Sequence, residues 1–175
     1  WDGAAAAAAV GHAGENGLSF RVHGGGHDYL AHSTWNGAVI TTRRLKTIER
    51  VRETTDGRGS ILRLGAGVTW REAYASLESR EYLAGGLGPD VGVAGFLLGG
   101  GINHDYCRLY GLGVDNLVSA TVATWGRPEI KRGGLSLGGG GQKYESSAAR
   151  LSVASETARA DLFWALRGGG GGNFG

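Results

Sequence analysis

His23-Gly24-Gly25-Gly26-His27-Asp28-Tyr29 is the stretch on which the reading of this chain turns, and Asp90-Val91-Gly92-Val93-Ala94-Gly95-Phe96-Leu97-Leu98-Gly99-Gly100-Gly101 is its counterpart further along. The first follows a short apolar run, residues 18–22, that reads as a strand. A glycine cluster directly after a strand can offer backbone N–H groups to a phosphate, because glycine accepts the dihedrals of an anion-binding nest and has no side chain in the way. A second such segment at 92–101 suits the other end of a diphosphate, so the pair fits a dinucleotide better than a single phosphate. Neither is a phosphate loop with a Gly-Lys-Ser or Gly-Lys-Thr ending, and neither has the Gly-x-Gly-x-x-Gly spacing of a Rossmann unit. From the residues alone, two readings stay open: ligand-contacting loops, or simple turns.

Composition bounds the answer. Glycine makes up 35 of 175 residues and proline only 2, against an average glycine share of about 7 per cent. A disordered glycine-rich chain would carry few large apolar side chains, whereas 41% of these residues are hydrophobic and 5 are Trp, so the chain is expected to fold. The 18 basic and 16 acidic residues leave a formal charge of +2. No like-charge run or RGG repeat points to nucleic acid, and no apolar stretch reaches the roughly 18 to 20 residues of a membrane span. No nucleic-acid or membrane partner is therefore expected. Cys107 is the single cysteine, which excludes an internal disulfide and a cysteine-based metal cage and is read as an inert thiol. His23 and His27, four apart, invite a metal reading, but the three glycines between them argue against a shared helical face. The sequence has no methionine and opens at Trp1 without a charged leader, from which a fragment is expected.

Outward from the glycine stretches, the pattern is mixed. The alanine-rich residues 4–13, closed by Asn16-Gly17, predict a helix with a glycine stop. Residues 38–41 predict a strand. Residues 48–52 and 61–64 predict a hairpin across Asp56-Gly57 and Gly59. Thr69-Trp70-Arg71-Glu72 has the capping-box pattern and predicts a helix over 70–80 burying Ala73, Leu77 and Trp70. The apolar stretch 91–98 reads as a glycine-interrupted loop around a ligand. Residues 117–125 predict a strand. The Gly/Ser-rich residues 132–147 read as an exposed loop insert. Asp161 is expected to cap a short helical turn in which Phe163 and Trp164 anchor a core. Asp115-Asn116 reads as a turn closing a strand, or as part of a ligand site.

In order, the motifs His23-Gly-Gly-Gly-His27-Asp-Tyr, Leu64-Gly-Ala-Gly67-Val-Thr-Trp70, Asp90 through Gly101, Tyr110-Gly-Leu-Gly-Val-Asp-Asn116 and Asp161-Leu-Phe-Trp-Ala-Leu-Arg-Gly-Gly-Gly170 resemble the signatures of the FAD-linked oxidase family that includes berberine bridge enzyme and fungal sugar oxidases. The resemblance implies an α+β, PCMH-type FAD-binding domain of two lobes, incomplete at both ends, with residues 1–175 forming a partial domain and the substrate domain absent. It implies FAD held by Gly24, Gly25, Gly26, Asp28, Gly92, Val93, Gly95, Gly99, Gly100, Asp115 and Asn116, and bonded covalently through His27 to the flavin 8α-methyl group. A histidyl substituent withdraws electrons and favours hydride acceptance. Without the surrounding motifs, His27 would read as an ordinary turn histidine.

The implied activity is oxidation of an alcohol or sugar-type small molecule by hydride transfer to flavin, with dioxygen as the second substrate and hydrogen peroxide as product. A non-catalytic flavin-binding module or a defective product is the rival. Secretion is expected from the family alone. Three departures matter, one being the Gly/Ser-rich stretch 132–147, which relatives mostly lack and which reads as a tolerated loop insertion or as non-native sequence. His23 stands where relatives often carry Arg, and Gly88 stands where bicovalent relatives carry Cys, so no second, cysteinyl flavin link is expected there.

Overall fold

The computed structural model describes residues 3–30, 37–53, 59–79, 81–125 and 149–175; the expected insert at 132–147 and the hairpin tip at Asp56-Gly57 lie outside them. The fold is mixed α+β, as expected. Helix α1, Gly3–Glu15, is built from the alanine run, the best intrinsic helix former. It ends where Gly17 takes a positive φ of 60° and Leu18 N–H donates to the Ala13 carbonyl at 2.8 Å. Its buried residues, Val10, Gly11 and Ala13, lie on the side from which it packs against a strand pair described below.

Strands β1 (Phe20–His23) and β2 (Ala38–Thr41) pair in parallel, with Phe20 opposite Ala38 and His23 opposite Thr41. A parallel pair cannot be joined by a tight hairpin. The chain therefore has to leave β1 and run a longer path before returning, and the glycine loop opens that path. Strands β3 (Ile48–Glu53) and β4 (Ser60–Leu64) form the predicted antiparallel hairpin, with a register shift between Arg50 and Arg52. Strands β5 (Ser119–Trp125) and β6 (Ala149–Ser155) pair antiparallel over seven residues, Ser119 opposite Ser155 and Trp125 opposite Ala149. Strand β6 was not foreseen.

Two hydrophobic clusters hold these pieces. Val68, Trp70, Ala73 and Val93 form the first, with Ile48, Leu64 and Phe96 packed on it. Trp70 is 1% exposed and meets Phe96 edge-on at 5.2 Å between ring centroids. Val122, Ala154, Phe163 and Leu166 form the second, joined by Leu98 and Leu117. Helix α3, Val93–Leu98, contributes Phe96 to one cluster and Leu98 to the other, and so spans the two.

Several expectations are corrected. The helix after Thr69 is only Trp70–Ala75 (α2), because the Ser76 hydroxyl and N–H both bond back to the Ala73 carbonyl and close it; Arg80, its expected end, lies outside the described residues. Ala73 and Trp70 are buried as predicted, whereas Leu77 is only half-buried beyond the helix. Residues 93–98 are helical instead of a loop, since Val93 N–H donates to the Val68 carbonyl at 2.9 Å and anchors the first turn despite Gly95. Between α3 and β5 stand a short helix α4, Cys107–Tyr110, and a 3₁₀ turn, Gly113–Asn116, in which Asp115 and Asn116 lie. Helix α5, Ala160–Leu166, is preceded by Arg159 in the left-handed region at φ 52°, so Asp161 sits inside the first turn and makes no cap. Phe163 is 3% exposed and anchors the second core, but Trp164 is 79% exposed and does not.

A glycine-lined candidate cofactor site

The loop after β1 is held at its root. Thr42 N–H donates to the His23 carbonyl at 2.9 Å, and the Thr42 hydroxyl donates to the Ala66 carbonyl at 3.1 Å. Gly26 has φ 82°, which side-chain-bearing residues rarely adopt, and a Cβ there would stand 2.9 Å from the His23 ring. Gly25 lies directly against Gly92: a Cβ on Gly25 would be 2.5 Å from the Gly92 nitrogen, and one on Gly92 would be 2.7 Å from the Gly25 nitrogen. The two glycine stretches that the sequence keeps apart therefore meet backbone to backbone.

The Gly92 side of this contact is braced by α2. Thr69 and Gly92 form an antiparallel bridge, Trp70 N–H donates to the Val91 carbonyl at 3.0 Å, and Arg71 N–H donates to the Pro89 carbonyl at 2.8 Å. The Arg71 guanidinium pairs with Asp90 at 3.1 Å. Thr69 itself is fixed by a complete capping box with Glu72. The Glu72 carboxyl is held below its ordinary range, chiefly by the hydrogen bond from Lys46 and then by the Thr69 N–H.

Past α3, Gly100 and Gly101 take φ of 101° and 72°. Their carbonyls accept from Val114 N–H at 3.3 Å and Gly113 N–H at 2.8 Å, which seats the 3₁₀ turn on the end of α3. Asp115 accepts from Leu112 N–H at 2.9 Å and faces Arg167 at 3.5 Å, while the Asn116 amide donates to the Tyr110 and Leu112 carbonyls. Both side chains shape their own turn.

The expected site residues thus fall into four groups. Gly24, Gly25, Gly26 and Gly92 form one cradle. Gly99, Gly100, Asp115 and Asn116 gather at the far end of α3. Val93 is 2% exposed in the first core and offers only backbone, and Gly95 stands on the exposed side of α3 with nothing within 4 Å of a Cβ. His27 and Asp28 follow the cradle on an exposed segment; Asp28 accepts from Leu30 N–H at 3.1 Å in an Asx turn.

Sequence reasoning missed Asn103. It is buried, donates its amide to the Gly85 carbonyl and accepts from Asp105 N–H at 3.0 Å, pinning the segment after Gly101. Its own N–H is directed at the Cys107 sulfur at 3.0 Å, so that thiol is engaged locally. A separate open cleft of about 540 Å³, which includes no residue of the cradle, is lined by Phe163, Trp164, Arg167 and Gly168.

The glycine apposition tests whether a flavin dinucleotide fits. A methyl group at Gly25 or Gly92 would collide with the other's backbone, so bare backbone meets bare backbone here, with no side chain at either position to screen N–H groups from a phosphate. An α+β fold with this bare-backbone contact suits a dinucleotide-binding domain. Comparison with known proteins narrows it: the chain belongs to the FAD binding domain family, whose model matches residues 2–134.

FAD-linked oxidoreductase ZEB1 of Gibberella zeae is 35% identical over 170 residues, covering 95% of this chain and 26% of that protein. The chain therefore spans about a quarter of the length of this curated relative. The crystal structure of the VAO-type flavoprotein MtVAO615 from Myceliophthora thermophila superposes with a TM-score of 0.76 at 31% identity, over 98% of this chain and 28% of that one. Glucooligosaccharide oxidase from Acremonium strictum, whose FAD is 6-S-cysteinyl, 8α-N1-histidyl, matches with a TM-score of 0.67 at 28% identity, over 94% of this chain and 30% of that one.

Proposed function

We propose that the polypeptide to which this chain belongs is an FAD-dependent oxidase of small alcohol or sugar-type substrates, with FAD bonded covalently through His27. The observation that carries the reading is the backbone apposition of Gly25 and Gly92, which joins two otherwise distant glycine stretches into one cradle. The names of the relatives, FAD-linked oxidoreductases and a sugar oxidase among them, support the reaction class.

FAD, when bound, supplies an acceptor for a substrate hydride and passes two electrons to dioxygen, giving hydrogen peroxide. The residues of this chain do the holding. Gly24, Gly25, Gly26 and Gly92 would hold the diphosphate through their N–H groups, and the 3₁₀ turn with Asp115 and Asn116 supports the far end of α3. The exposed imidazole of His27 supplies the nitrogen for a single covalent bond. Gly88 has no thiol to make a second bond of the kind found in glucooligosaccharide oxidase, and Cys107 is engaged with Asn103. The substrate pocket and the proton acceptor belong to the part of the protein outside this chain.

The test is acid precipitation of the full-length protein with visible absorption of pellet and supernatant, for wild type and a His27→Ala variant. Flavin in the wild-type pellet and in the variant supernatant is the expected result. Flavin released from both removes the covalent bond from the reading, and a protein that carries none removes FAD altogether.

A further inference from the structure

We propose that Arg43 is a phosphate-binding residue of the cradle, reaching it at Gly26; this rests on the FAD reading above. The turn that carries Arg43 follows β2 and is closed by Leu45 N–H donating to the Thr42 carbonyl at 2.8 Å. It is fixed in place by the segment after β4, where Gly65 N–H donates to the Thr47 carbonyl at 2.7 Å and Gly67 N–H to the Leu45 carbonyl at 2.9 Å. Gly67 lies so close to the Thr42 carbonyl and the Arg43 backbone that a Cβ would collide with both. The base of the Arg43 side chain is therefore set by three hydrogen bonds and a close packing contact.

From that base the guanidinium reaches back over the glycine loop. One terminal nitrogen, Nη2, lies 3.9 Å from the place a Cβ on Gly26 would occupy, and the His23 imidazole lies 2.9 to 3.1 Å from the same place. Two nitrogen-bearing side chains thus approach Gly26. Arg50, Arg63, Arg71 and Arg167 each face a carboxylate. Among the described residues none pairs with Arg43.

An arginine that no described carboxylate pairs with, and whose terminal nitrogen lies near the bare backbone of Gly26, fits an anionic ligand by charge. The planar fork can take two phosphate oxygens at once, which backbone N–H groups alone cannot match in charge. The ligand chemistry is a diphosphate ester, the group FAD presents between its two halves. Lysine at this position would keep the charge and lose the fork.

The experiment is an FAD titration of the full-length apoprotein, followed by quenching of flavin fluorescence, in both His27-intact and His27→Ala forms and at several salt concentrations. Arg43→Gln is expected to raise the half-saturating FAD concentration about tenfold and to flatten its salt dependence, and Arg43→Lys to recover part of the loss. Arg63→Gln makes the same charge change on the hairpin and is expected to leave the titration where it was. Unchanged half-saturation and salt dependence in Arg43→Gln would overturn the assignment while leaving the FAD reading intact. A wild-type protein that takes up no FAD would overturn both.

Discussion

Replacing Gly92 by alanine puts a methyl group into the contact that joins the two glycine stretches. The new Cβ would stand 2.7 Å from the Gly25 nitrogen and 3.2 Å from its Cα, well inside the 3.4 Å at which ordinary contact begins. Both atoms are backbone, so no side-chain rotation relieves the clash and one segment has to move. Gly92 has φ −70° and ψ 134°, which alanine adopts freely, so the effect is steric alone. Overpacking of this kind costs about 1–3 kcal/mol, offset by about 0.4–1 kcal/mol because alanine restricts the unfolded chain. The net loss is roughly 0–2.6 kcal/mol, or up to about 10 °C in melting temperature for a unit of this size.

The assay is thermal unfolding of the full-length apoprotein by circular dichroism, with Gly95→Ala as the internal reference. Gly95 lies inside α3, the helix that Gly92 precedes, with nothing within 4 Å of a Cβ, and alanine there gains helix propensity of about 0.5–1 kcal/mol. Gly92→Ala should therefore melt below wild type and Gly95→Ala at or above it. A Gly92→Ala protein that melts together with Gly95→Ala would refute the close approach on which the cradle rests.

Two further outcomes follow from packing and charge. Phe163→Ala should cost about 3–5 kcal/mol and the adjacent Trp164→Ala less than about 0.5 kcal/mol, read from urea midpoints, because the first ring is buried and the second lies in solvent. Glu81 is held down to about 2 by the Arg50 guanidinium and then by the Glu78 N–H. Its folded value lies below the ordinary 4.5, so its contribution to stability is complete above pH 4.5 and disappears as pH falls from there to about 2. A carboxyl-resolved NMR titration should show Glu81 moving back toward 4.5 in Arg50→Gln; an unmoved Glu81 would contradict the pairing.

What the sequence made legible is what short-range physics decides. The alanine run and Gly17 define α1, and the Thr69–Glu72 capping box marks the start of α2 because its partners lie three residues apart. The end of α2 was not legible, since Ser76 turning back onto Ala73 has no pattern beyond a common serine. Strand β6 forms by pairing with β5 across residues whose sequence gives no register, although the alternation of Leu151 and Val153 was a signal that could have found it. Helix α3 defeats its own glycine because a long-range bond from Val93 to Val68 fixes the first turn. Trp164 was misplaced because an apolar run does not say which way each residue points, and in a helix its neighbour Phe163 takes the inward direction. At the candidate site, the glycine stretches were legible as motifs, but their contact, Asn103 and the reach of Arg43 exist only in three dimensions.

The meeting of Gly25 with Gly92 also imposes an order in time. A growing chain releases His27 long before Gly92 has been made, and at about 5–20 residues per second the interval is roughly 3–13 s. Throughout it the first half of the cradle has no second wall, and the intervening loop must still be closed against its entropy. Any ligand that depends on both walls has to wait for that closure.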